Sequence, residues 1–134
     1  MIMKFTDSQM SGMLIEDADF AEWYVEEFMR KYLPNYYYEL SDEGKREMTL
    51  NGRNYARRFD IDDPHSQAHF VTLMWQVGPN FFEFPGFREI ARDKSLSSRQ
   101  KIDAFYSVPK EMAIEAITNP DERYWYPYMR ETAR

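Results

Sequence analysis

Apolar residues along this chain recur at intervals of three and four, the repeat of a helix face. Phe20, Trp23, Tyr24, Phe28 and Tyr32 form the first clear stripe. Asp17 or Asp19 is placed to cap that helix. Glu16, Asp17, Asp19 and Glu22 lie at its start, and Arg30 and Lys31 at its end, so both ends complement the helix dipole. Leu33-Pro34 stops it. Ser41 caps a long helix to about Phe59, with Met48, Tyr55, Ala56 and Phe59 inward. Its Gly44 and Gly52 each cost about 1 kcal/mol of propensity relative to Ala, but let another helix come close. Asp62-Asp63-Pro64 is an Asp cap followed by Pro at the first helical position. Phe70, Leu73, Met74 and Val77 make the stripe that follows, and Gly78-Pro79 ends it.

Phe81, Phe82, Phe84 and Phe87 then predict a packed loop, broken by Pro85-Gly86, leading to a short helix near Phe87–Asp93. Ser97 to Gln100 is a capping box. It opens a helix with Ile102, Phe105 and Tyr106 inward. Pro109 breaks that helix, and a last one places Met112, Ala113, Ala116 and Ile117 inward before Asn119-Pro120. A further capping box, Thr6 to Gln9, suggests a short helix at the N-terminal end, weakened by Gly12. No strand alternation with turn signals occurs, although strand pairing stays open for Tyr36–Tyr38 and Tyr124–Tyr128. At least one ring of the Tyr36–Tyr38 run must be exposed or hydrogen-bonded at its tip. The expectation is an all-α fold: a single compact domain over residues 1–134, of about five to seven helices. Residues 1–16 form a variable N-terminal segment and residues 120–134 an aromatic-rich tail.

Composition sharpens this. A chain of 134 residues buries roughly 65–70% of its unfolded surface and needs no staples. Aromatic residues make up 17%, more than a small core usually needs, which points some rings toward a surface. Cysteine is absent, which removes disulfides and thiolate zinc sites and suits a reducing cytoplasm. The start, Met1 to Met10, has no long apolar run, so no signal peptide is expected. No membrane insertion is expected either, since no window approaches a spanning length. Net charge is −6. Residues 1–47 hold 5 Lys/Arg and 11 Asp/Glu, whereas residues 48–134 hold 12 of each, so the excess acid is all N-terminal. No cationic footprint for nucleic acid exists. An acidic face meeting a basic partner fits better, with plain solubility as the simpler account.

Candidate chemistry is sparse. His65 and His69 lie four apart on one predicted helix face, near Asp62, but lack the glutamate of a zinc-protease helix and a third ligand. They read as a solvent-facing pair, and no metal is expected. Asp60, Asp62 and Asp63 lack the calcium-loop pattern, and helix capping explains Asp62 and Asp63. Arg53, Arg57 and Arg58 share a helix surface and suit an anion, or local acids such as Asp60. No phosphate loop or cysteine nucleophile occurs, so no enzyme and no cofactor are expected. The tail is the remaining candidate. Tyr124, Trp125, Tyr126 and Tyr128, with Met129 and Arg130, supply the residue types that dominate binding hot spots. These rings dock either on their own domain or on a partner. Glu22 and Glu26 are the acidic candidates for steering a basic partner.

Residues 29–108, about 80 of 134, resemble a family of small helical proteins encoded in bacterial type VI secretion clusters, near spike and effector genes. The resemblance rests on Arg30-Lys31-Tyr32-Leu33-Pro34, on Asn54 to Ile61, on Phe70 to Met74 with Gly78-Pro79-Asn80-Phe81, and on Ile90, Asp93 and Leu96. The chain departs from the family pattern at Phe59-Asp60-Ile61, where Tyr-Gly-Ile is usual, and at Phe84-Pro85-Gly86-Phe87, where a Pro-Trp pair is common. The resemblance implies a cytoplasmic bacterial protein that serves as adaptor or chaperone for a secreted effector, or as an immunity protein against a cognate toxin. The partner would be that effector or toxin, or the secretion spike. It carries over no catalytic residue.

Overall fold

A computed structural model describes residues 16–127. Among these residues the chain forms seven helices and no strand. The first, α1, is continuous from Asp17 to Tyr32. It is α-helical over Asp17–Trp23, π-helical over Tyr24–Met29 and α-helical again over Arg30–Tyr32. Then follow α2 (Pro34–Glu39), α3 (Asp42–Arg58), α4 (Pro64–Gln76), α5 (Phe87–Ala91), α6 (Ser98–Tyr106) and α7 (Lys110–Thr118). Short 3-10 turns occupy Phe81–Glu83 and Glu122–Trp125. The capping box at Thr6 to Gln9 lies outside the described residues.

The expected caps are built as the sequence implies, with one exception. Ser41 Oγ accepts from Gly44 N at 3.0 Å, and Asp63 Oδ2 accepts from Ser66 N at 2.9 Å. Ser97 and Gln100 close their box in both directions, at 3.2 and 2.8 Å. At α1 the cap residue is Glu16, with no side-chain cap bond, rather than Asp17 or Asp19. Asp17 instead serves the arginines of α3, described below.

The stripe of α1 is buried at Phe20, Tyr24 and Phe28. Its rings climb as a ladder with centroids 6.2, 5.2 and 5.0 Å apart, from Phe20 through Tyr24 and Phe28 to Tyr32.

α4 is the axis of the fold. The sequence predicts one inward stripe, yet every residue from Ser66 to Trp75 is buried. Neighbours surround it: α3 packs along it, α1 reaches it through the Tyr24 hydroxyl on Thr72 Oγ1 at 2.8 Å, and α6 closes another side. Gly52 explains the close fit of α3. A Cβ there would lie 3.0 Å from Val71 Cγ2 and 3.1 Å from Met74 Sδ. Phe70, Phe81, Phe87 and Phe105 pack ring against ring beneath α4, with Phe81 5.1 to 5.4 Å from the other three.

Three cations are buried with this core: Lys45, Arg53 and Lys101. Each is satisfied. Lys101 Nζ donates to Phe59 O at 2.6 Å and Ala91 O at 2.9 Å, the carbonyls that end α3 and α5. One ammonium thus serves two helix C-termini, where positive charge is favoured. Lys45 Nζ donates to Tyr37 O at 2.8 Å and lies over the Tyr37 ring.

Two expectations need correction. The Tyr36–Tyr38 run is helical, within α2, because Pro34 sits at its first position. Its rings diverge: Tyr36 packs on Trp75, Tyr37 reaches Glu26, and Tyr38 is 73% exposed. In α7 only Ala116 is buried, whereas Met112, Ile114 and Ile117 are exposed. α7 lies on the surface and approaches the domain where glycines leave room. A Cβ at Gly86, where φ is +94°, would stand 2.7 Å from Met112 Sδ.

Candidate functional site

The acidic candidates lie on the outer side of α1. Asp19, Glu22, Glu26 and Glu27 line one shallow depression beside Trp23. Glu26 is engaged within the domain. It accepts from the Tyr37 hydroxyl at 2.8 Å and lies 3.6 Å from Arg46 Nη2. That bond raises the Tyr37 phenol above its ordinary pKa. Asp19, Glu22 and Glu27 make no ion pair or side-chain hydrogen bond among the described residues. Like charges one turn apart on a helix destabilise it by about 0.2–0.5 kcal/mol per pair. Asp19 and Glu22, three apart, and Glu22 and Glu26, four apart, are such pairs.

The described part of the aromatic tail, residues 120–127, docks on its own domain. Trp125 is 2% exposed, packs at a tilt on Trp75 with centroids 4.2 Å apart, and its carbonyl accepts from Asn51 Nδ2 at 2.7 Å. Tyr124 packs on Tyr55 and Phe82 and donates its hydroxyl to Glu83 Oε2 at 3.1 Å. Tyr126 is half-buried, and burial raises its phenol's pKa. Tyr128 lies outside the described residues. The Trp125 ring is thus a packing group in this structure, not an exposed anchor.

Its docking shapes a cleft at the C-terminal end of α4, of about 200 Å³. Tyr36, Trp75 and Trp125 line it together with Pro79, Ile117 and Glu122. Tyr36 packs at a tilt on Trp75, with centroids 4.7 Å apart. Trp75 Nε1 is buried and has no acceptor among the described residues. Sequence reasoning missed Tyr36 and Trp75 as partners. The only signal was Trp75 standing three residues before the Gly78-Pro79 stop.

The other singled-out residues are placed structurally. His69 is fully buried, and its Nδ1 lies 2.7 Å from the Tyr106 hydroxyl. This corrects the solvent-facing reading, since α6 covers that side of α4. His65 stands edge-on to His69 at 4.7 Å. No group of three or more His, Asp or Glu that could hold a metal occurs among the described residues. Asp60 pairs with Lys94 at 3.3 Å, and Asp63 caps α4. Arg53 and Arg57 do not pair with Asp60. Both hold Asp17 Oδ1 at 3.0 Å, and Arg53 Nε also donates to Gln67 Oε1 at 2.7 Å. Burial lowers the Arg53 pKa, but the ion pair and the Phe20 ring 4.2 Å away support its charge. Arg58 lies 5.2 Å over the Tyr55 ring. No described helix is long and apolar enough to cross a membrane. No family model, curated protein or solved structure matches this chain.

Proposed function

We propose that this chain is a non-enzymatic protein-binding module that receives a basic partner on the outer face of α1. The observation that carries the reading is the set of carboxylates at Asp19, Glu22 and Glu27, clustered and without ion-pair or side-chain hydrogen-bond partners among the described residues. Such a face speeds encounter with a cationic surface and disfavours acidic competitors. The resemblance of residues 29–108 to small accessory proteins of type VI secretion clusters gives the partner a class. In this reading the chain works in the bacterial cytoplasm as adaptor or chaperone for a secreted effector and couples it to the spike. The second reading is an immunity protein, and the same acidic face favours it where the toxin is a basic nuclease.

Gene deletion in the native host separates the two. An adaptor's loss removes one effector from the secreted fraction while the spike is still secreted. An immunity protein's loss leaves secretion intact and makes the cell sensitive to a neighbouring toxin. Glu22→Lys with Glu27→Lys should reproduce the deletion and slow association with the purified partner. Normal secretion together with normal survival of the deletion strain would refute both.

A further inference from the structure

α1 and α6 rest on neighbouring turns of α4. The Tyr24 hydroxyl meets Thr72 Oγ1 at 2.8 Å, and the Tyr106 hydroxyl meets His69 Nδ1 at 2.7 Å. At about 100° per residue these two positions point about 60° apart around α4, with His65 between them. One flank of α1 is held by α3, through Arg53 on Asp17. Trp23 points about 120° away from Asp17 around the helix, on the flank turned from α3 and toward α6. Two helices laid side by side on a third leave a seam that side chains must fill. The rings bordering this seam are Trp23, His65 and Tyr106, one from each helix, and each is half-buried. Acids stand on both walls. Glu22 and Glu27 lie beside Trp23, and Asp103 is exposed one turn before Tyr106.

We infer that the chain's own N-terminal segment covers this seam, with Phe5 as the ring that enters it and Lys4 among the acids. Three features select this occupant. The first is attachment. Arg53 joins Asp17 to Gln67 of α4, so α1 starts level with the turn between His65 and His69. Fifteen residues precede Glu16, and Phe5 stands eleven before it. That gives a reach of up to about 36–40 Å, against a seam about 10 Å long from His65 to Thr72. Ser11-Gly12 supplies residue types that permit a chain reversal. The second is composition. Eight of the fifteen residues are Met, Ile, Leu or Phe, and Phe5 is the one aromatic ring among them. The third is charge. Lys4, next to Phe5, is the one Lys or Arg of the fifteen, and it meets walls that carry Glu22, Glu27 and Asp103. A tethered segment also reaches the seam at an effective concentration in the millimolar range, well above that of a free ligand of equal affinity. The contact needs no partner, so it stands or falls apart from the reading of the acidic face.

The test uses the full chain labelled with carbon-13 and nitrogen-15, and reads nuclear Overhauser contacts of the Phe5 ring. A mixture of labelled and unlabelled chain separates contacts within one chain from contacts between copies. The Phe5 ring should contact the rings of Trp23 and Tyr106 within one chain. Phe5→Ala should lower Tm by about 10 °C. It should also shift the Trp23 indole N–H resonance while that of Trp125 stays in place. Phe5→Leu keeps most of the apolar volume and should return roughly half of the lost Tm. Phe5 contacts on Ile114 or Ile117 of α7 in place of the seam, contacts found only between copies, no ring contact at all, or an unchanged Tm in Phe5→Ala would each overturn the inference.

Discussion

Lys101→Met tests whether one buried ammonium ties two helix ends together. The thioether chain replaces the stem of a lysine that is 2% exposed, with little change in volume. What disappears is the donor to Phe59 O and Ala91 O, bonds of 2.6 and 2.9 Å. A buried acceptor left unsatisfied costs about 1–3 kcal/mol, so two cost about 2–6. Methionine returns part of this, because it needs no desolvation of a charge. The net loss should be about 2–4 kcal/mol, or roughly 10 °C in Tm for a chain of this size. Urea unfolding followed by circular dichroism measures it. Lys94→Met is the control. Lys94 is 86% exposed and pairs with Asp60 across solvent, so it should change stability by less than about 0.5 kcal/mol. The pH dependence supplies a second reading. Burial lowers the Lys101 pKa from 10.5, so between the lowered value and 10.5 the unfolded chain holds more protons than the native one. Stability conferred by Lys101 relative to Lys101→Met should therefore rise with pH across that window. A loss below about 1 kcal/mol would refute the tie between the helix ends. A stability difference that shrinks as pH rises would refute the assigned cause of the shift.

Three further outcomes follow from the packing. Trp125→Ala should lower stability by about 3–5 kcal/mol in denaturant unfolding, because the ring is buried against Trp75; an unchanged midpoint would show that the tail is detachable. Leu73→Ala, at a site with no exposure, should cost about 2–5 kcal/mol by the same assay, and a cost below about 1 kcal/mol would place the core elsewhere. Burial raises the pKa of both Tyr24 and Tyr106 above the ordinary 10.0. Their contribution is fully present below pH 10 and is lost as pH rises beyond it, since the unfolded phenols ionise first. Alkaline unfolding monitored by tyrosinate absorbance should move to higher pH in Tyr24→Phe, and an unmoved transition would assign it to other groups.

What the sequence determined by itself was local. Helix starts at Ser41, Asp63 and Ser97 are written in residues whose side chains bond a backbone N–H three positions on, so no distant part of the chain is needed to read them. The stops at Leu33-Pro34 and Gly78-Pro79 are equally local, and the all-helical class follows from the apolar spacing. The tertiary structure decided which faces were covered. A stripe of four apolar residues on α4 could not reveal that His69, Ser66, Gln67 and Thr72 would also be enclosed, because that depends on α1, α3 and α6 arriving from far along the chain. The same stripe logic placed Met112 and Ile117 inside, yet α7 has too few neighbours to cover them. Nothing local in the sequence marks Lys101, Lys45 and Arg53 as buried, because the carbonyls and carboxylate that hold them come together only in space. The cleft is the strongest case. Tyr36, Trp75 and Trp125 are separated by 39 and 50 positions, and only folding sets their rings side by side.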